Sequence, residues 1–223
     1  MKAIILAAGI GSRLGNSNPK PLTLLNNGES ILQRQIKYLS EIIGLDNIII
    51  VVGYKKDIIM ESFPDVTYVY NNFYDTTNTA KSLFKGIKKI KNDDVLWLNG
   101  DVVFDKNILN KIIQYPQSCM AVNTNSVHDE EIKYNLFSDG SIKQVSKIIN
   151  DGLGEAVGIN KIILSDLCKL EHNLNKCADQ DYFERGLEYC IEDGMKIYPI
   201  NISQYLCMEI DFQEDLQKIN KKL

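Results

Sequence analysis

The sequence predicts an α/β fold of the doubly wound kind: a mainly parallel, Rossmann-like sheet with a small mixed region attached. Three observations predict it. Short apolar runs rich in β-branched residues, KAIILAA, NIIIVVG and DVLWLNG, read as strands buried on both faces. The segments between them, such as ESILQRQIKYLSEII and TAKSLFKGIKKI, carry apolar residues at helical spacing. Two of the strands run into LAAGIGSRLG and LNGD, at the carboxyl ends where such sheets bind their ligands.

Taken in order, strand KAIILAA is followed by helix ESILQRQIKYLSEII, strand NIIIVVG, a short helix DIIMESF and strand VTYVYN. Helix TAKSLFKGIKKI and strand DVLWLNGD come next, then the helical ILNKIIQ and strand CMAVNT. Beyond these the pattern loosens into short strands around KYNLF and SIKQVSKI, separated by the turn SDGS. EAVGINKIIL reads as a strand entering a helix, and DQDYFERGLEYCIEDG as a helix closed by Gly194. Strands KIYPI and QYLCMEI and a helix DFQEDLQKINKKL complete the chain. No repeat, low-complexity tract or linker divides the 223 residues, so one domain over 1–223 is expected.

Several function classes are disfavoured. The formal charge is −4, and the basic residues form no stripe, which argues against a nucleic-acid partner. No apolar run approaches the roughly 20 residues of a membrane-spanning helix, and KAIILAA reads as a first strand rather than a leader. Five cysteines without CxxC spacing suggest reduced thiols and a cytoplasmic protein. The two histidines, His128 and His172, lie in polar segments, which disfavours zinc or a Cys/His nucleophile.

Glycine loops after a first strand cradle phosphates, because glycine lets several N–H groups turn toward one anion. Gly9, Gly11 and Gly15 give GxGxxxG, with Leu14 where a dinucleotide fingerprint has its third glycine, and no GK[ST] follows. Arg13 and Lys20 add two cations, and Pro19 and Pro21 restrain the backbone around Lys20. The pair suits a triphosphate; the bland alternative is a tight turn with solvated cations. Asp101 ends an apolar strand beside Asn99 and Gly100, as a ligand-binding acid would. Glu209 and Asp211 alternate with apolar neighbours and so share one face of a strand, although Asp211 could equally be the N-cap of the last helix.

LAAGIGSRL followed by PKPL resembles the signature of the nucleotidyltransferases of the sugar-phosphate type, and LNGD resembles their strand-end acidic motif. The link GNSN between the two signature halves is shorter than is usual there. The resemblance implies Mg²⁺ held by Asp101 and Asp211, with Glu209 a further candidate. It implies nucleotide contacts from Leu6, Ala7, Ala8, Gly9, Gly11 and Ser12, from Arg13 and Lys20, and from Gly100. Residues 1–125 would then handle the nucleotide and about 126–205 the acceptor.

NNFYDTTNTAKSL resembles the nucleotide-touching segment of small-substrate cytidylyltransferases, which adds Asn78 and Ser82; Thr77 or Thr79 as an ordinary helix cap is the rival reading. Lys147 matches the position of a lysine directed at the acceptor's phosphate and joins Arg13 and Lys20 as a catalytic candidate. Glu155 would face the acceptor. Arginine occurs only at 13, 34 and 185, and Arg185 offers a two-pronged carboxylate contact that lysine cannot. Asp179, Asp181 or Glu184 would hold an amine; otherwise Arg185 and Asp181 form a surface ion pair.

The implied reaction moves CMP from CTP to a small phosphorylated metabolite, with pyrophosphate leaving. Of the acceptors known in that branch, phosphoglutamine of capsule modification is expected first and phosphocholine second, since Trp97 reads as core rather than as part of a choline cage. A sugar-1-phosphate nucleotidyltransferase and a catalytically silent nucleotide-binding regulatory domain are the rivals.

Overall fold

The computed structural model describes residues 1–11, 14, 18–125, 127 and 131–223. Four strands, β1 (Lys2–Ala7), β2 (Ile48–Val52), β3 (Thr67–Tyr70) and β4 (Val95–Asn99), run parallel in the order β3-β2-β1-β4. β5 (Val102–Phe104) leaves this sheet directly after the Gly100-Asp101 turn. β6 (Cys119–Asn123) follows, then a hairpin of β7 (Lys133–Leu136) and β8 (Ile142–Ser146). β9 (Gly154–Ile162) inserts antiparallel between β4 and β6, and β10 (Tyr198–Asn201) adds parallel to β6. β11 (Cys207–Glu209) pairs antiparallel with β5.

The strands are apolar on both faces because both faces are covered. Ile4, Leu6, Val51 and Trp97 pack toward α3 (Thr79–Ile87), α5 (Leu164–Lys176) and α6 (Phe183–Glu192). Ala3, Ile5, Ile50 and Leu98 pack toward α1 (Ile31–Ile43), α2 (Lys56–Ser62) and α4 (Asn107–Gln114). α1 shows how the local signals are spent. Ser30 caps it by accepting from the Gln33 N–H at 3.1 Å, and Gly44, at φ +81°, ends it.

Two expectations change. β9 and β10, from the stretch assigned to the acceptor side, lie in the main sheet. The strand expected to carry both Glu209 and Asp211 ends at Glu209; Asp211 sits just beyond it, ahead of α7 (Gln213–Asn220). Among the described residues, no helix is long and apolar enough to cross a membrane.

Candidate functional site

The carboxyl ends of β1 and β4 open into a cavity of about 730 Å³, a size suited to a small-molecule ligand. Its floor depends on glycine. Gly100 donates to the Leu6 carbonyl at 2.9 Å, and a Cβ there would lie 2.7 Å from that oxygen. Gly11 has φ +62°, and a Cβ on it would lie 2.6 Å from Cβ of Lys20, so the lysine stem runs along the glycine loop.

Three carboxylates converge here: Asp101, Glu209 and Asp211 each offer an oxygen within 4.8 Å of the others. Topology brings them together across the chain. The β5–β11 pairing sets Glu209 opposite Val102, and the Ile210 N–H donates to the Asp101 carbonyl at 3.0 Å. Asp215 accepts from the N–H groups of Asp211 and Phe212 at 3.2 and 2.9 Å; the cap of α7 is Phe212, so the N-cap reading of Asp211 gives way. Behind the turn, buried Gln35 of α1 donates to the carbonyls of Asn99 and Val102 at 2.9 and 2.8 Å.

Lys20 sits in this cluster, its ammonium 2.6 Å from both Asp101 Oδ2 and Asp211 Oδ1. Burial would pull its pKa down, but the Asp101 charge and the hydrogen bonds to Asp101 and Asp211 outweigh that, and it is raised. The Asp101 charge in turn pushes the Glu209 carboxyl well above the usual carboxylate range. The Lys20 ammonium thus bonds two of the three acids. Asp101 Oδ1 is buried and has no hydrogen-bond partner among the described residues. Three hard oxygen donors, one of them unsatisfied, fit a divalent cation.

Of the other expected nucleotide contacts, Leu6, Ala7, Gly9, Gly11, Asn78 and Gly100 line the cavity. Asn78 is itself the cap of α3, accepting from the Thr79 N–H at 2.8 Å, rather than Thr77 or Thr79. Ala8 and Ser82 are buried off the lining; Ser82 Oγ instead accepts from Asn71 at 3.0 Å. Ser12 and Arg13 lie outside the described residues.

On the opposite wall, Lys147 and Glu155 line the cavity, with the Lys147 ammonium 5.2 Å from the centre of the Tyr182 ring. Three residues expected here are not on the lining. Arg185 pairs with Glu188 at 3.0 Å and covers Tyr189, so its expected pairing with Asp181 is replaced. The Asp179 and Asp181 carbonyls accept from the N–H groups of Asn78 and Ala80, tying α6 to the start of α3, and the Asp181 carboxylate accepts from Ala178. Of the three acids expected to hold an amine, the one that lines the cavity is Glu184, 7% exposed, whose carboxyl burial raises to about 7. Its position was readable: Glu184, Leu187 and Ile191 recur at helical spacing on the buried stripe of α6.

The chain is 32% identical over 127 residues to the CMP-5'-(3-aminopropyl)phosphonate synthase of Streptomyces rubellomurinus, covering 53% of this chain and 20% of that protein. It is 38% identical over 102 residues to the choline-phosphate cytidylyltransferase of Streptococcus pneumoniae, 43% of each chain. Thus the matched part spans less than half of either relative. The solved CTP:phosphocholine cytidylyltransferase from Streptococcus pneumoniae shares the fold, with a TM-score of 0.84 at 24% identity over 99% of this chain and 98% of that one. Residues 3–172 match the MobA-like NTP transferase domain, and the chain belongs to that family.

Proposed function

We propose that the chain is a metal-dependent cytidylyltransferase, moving CMP from CTP to a small phosphorylated metabolite with release of pyrophosphate. The observation that carries this reading is the convergence of Asp101, Glu209, Asp211 and Lys20 beside the Gly9–Gly11 loop. The cytidylyl preference is supported by two of the relatives, whose names specify CMP or cytidylyl transfer.

In this reading an acceptor phosphate oxygen attacks the α-phosphorus of CTP in line. The bond from that phosphorus to the bridging oxygen breaks, and pyrophosphate takes the electron pair. A phosphate nucleophile needs no general base, so the residues act by positioning and by charge. The Gly9–Gly11 backbone and Gly100 leave room for phosphate oxygens, Arg13 and Lys20 neutralise the leaving pyrophosphate, and Asn78 borders the nucleotide. Lys147 holds the acceptor phosphate, with Glu155 beside it. Mg²⁺ bound by the three carboxylates would neutralise triphosphate charge.

Phosphoglutamine is the acceptor proposed first, and its support is the overall likeness of the chain. Phosphocholine is the second reading: the exposed Tyr182 ring and the buried Glu184 carboxyl, both on the lining, suit a cationic nitrogen. Trp97 is fully buried and belongs to the core.

The test is incubation with Mg²⁺, each of the four ribonucleoside triphosphates and dTTP, and a panel of phosphorylated acceptors, with products read by mass spectrometry. A CMP adduct of a small acceptor plus pyrophosphate is expected. Turnover of sugar phosphates alone would overturn the assignment.

A further inference from the structure

Lys20 occupies an unusual place for a residue meant to meet a triphosphate. Its ammonium is buried between two of the three carboxylates that would hold the cation, at 2.6 Å from each. A divalent ion at the roughly 2.1 Å typical of magnesium–oxygen contacts, held by the same Asp101 Oδ2 and Asp211 Oδ1 that the ammonium bonds, would lie against that ammonium. Two cations so close repel, and burial leaves little water to screen them. The metal and the ammonium therefore compete for Asp101 and Asp211.

The lysine also has somewhere to go. Its stem runs along Gly11, on the loop bordering the cavity, and Pro19 and Pro21 fix the backbone on either side. Rotation about the side-chain bonds would carry the ammonium from the acids into the cavity that Lys20 lines beside Gly11, without moving the main chain. An anion on that loop would draw it out.

We propose that Lys20 is an internal counterion that fills the cation position of the carboxylate cluster until a triphosphate on the glycine loop draws it away. Metal and nucleotide then bind with positive coupling, each favouring the other. This rests on the nucleotidyl-transfer reading only in taking the anion to be a nucleoside triphosphate; the competition with metal is a property of the carboxylates and Lys20 alone.

The test is titration of the whole protein with Mn²⁺ alone, free Mn²⁺ being read by electron paramagnetic resonance, for wild type and K20M. Circular dichroism checks the fold of the variant. K20M is expected to bind Mn²⁺ at least about tenfold more tightly than wild type when no nucleotide is present. Equal or weaker binding by a folded K20M overturns the proposal. A second measurement uses wild type only, with Mn²⁺ titrated with and without a non-hydrolysable CTP analogue. Affinity unchanged by the analogue also overturns it, and remains decisive if K20M does not fold. Product formation from CTP without tighter Mn²⁺ binding by K20M would sink this proposal and leave the transferase standing. Absence of product with every nucleotide would remove the transferase, while the Mn²⁺ titration still decides the role of Lys20.

Discussion

Phe183 packs edge-on against Trp97, ring centres 5.6 Å apart at 87°, with both rings buried. Trp97 lies on β4, the strand that runs into Gly100 and Asp101, and Phe183 stands between Tyr182 and Glu184 on the opposite wall. This aromatic contact is one of the core links between the strand that leads into the carboxylate cluster and the acceptor wall.

Asp101→Asn is expected to lower kcat by at least ~10³, since one of the carboxylates proposed to hold the cation is lost. The melting temperature should stay close to wild type, because Lys20 keeps its bond to Asp211. Steady-state turnover with CTP beside a thermal melt checks both halves; near-normal turnover would remove Asp101 from the site.

Gly100→Ala forces a Cβ to within 2.7 Å of the Leu6 carbonyl, where backbone must give way. We expect a loss of about 1–3 kcal/mol in urea unfolding together with weaker CTP binding by calorimetry. Wild-type values for both would show that the β1–β4 approach tolerates a side chain.

Arg185→Lys is expected to leave the acceptor KM unchanged, because Arg185 is spent on Glu188 and Tyr189 away from the cavity. The lost surface pair costs less than about 1 kcal/mol. A large rise in acceptor KM with CTP affinity kept would return Arg185 to the acceptor site.

Glu184 gives a pH dependence. Its folded pKa is raised by burial from 4.5 to about 7, so between these values the folded state binds more protons than the unfolded one. Stability therefore falls as pH rises from about 4.5 to about 7 and is level above, with a total on the order of 3 kcal/mol. Glu184→Gln should abolish that slope and melt higher than wild type at pH 8. Parallel melting curves for the two proteins across pH 5 to 8 would refute the assignment.

Much of this was legible because the decisive signals are local. β-branched runs bounded by glycine announced β1, β2 and β4, and GxGxxxG ruled out a dinucleotide loop within ten residues. Asp101 stands out at the end of an apolar run, whereas Glu209 and Asp211 were marked by their alternation with apolar neighbours and given a metal role by the family resemblance. What stayed hidden depends on pairing between distant segments. Nothing near VVF says that it leaves the sheet to pair with CME, and nothing near Lys20 says that its ammonium reaches Asp101 and Asp211. On α6, chemistry favoured Arg185 over its neighbours, but the helix turns the 184–187–191 stripe inward, so Glu184 meets the cavity and Arg185 meets solvent.

The two hydrogen bonds from Gln35 make the Asn99–Val102 turn a fixed wall. In the exchange proposed above, the Lys20 ammonium and a metal ion would change places at Asp101 by rotation about side-chain bonds, on the timescale of rotamer hops rather than of hinge motion. In that exchange the wall would already be in position at every step, so the centre would reset without refolding any part of itself.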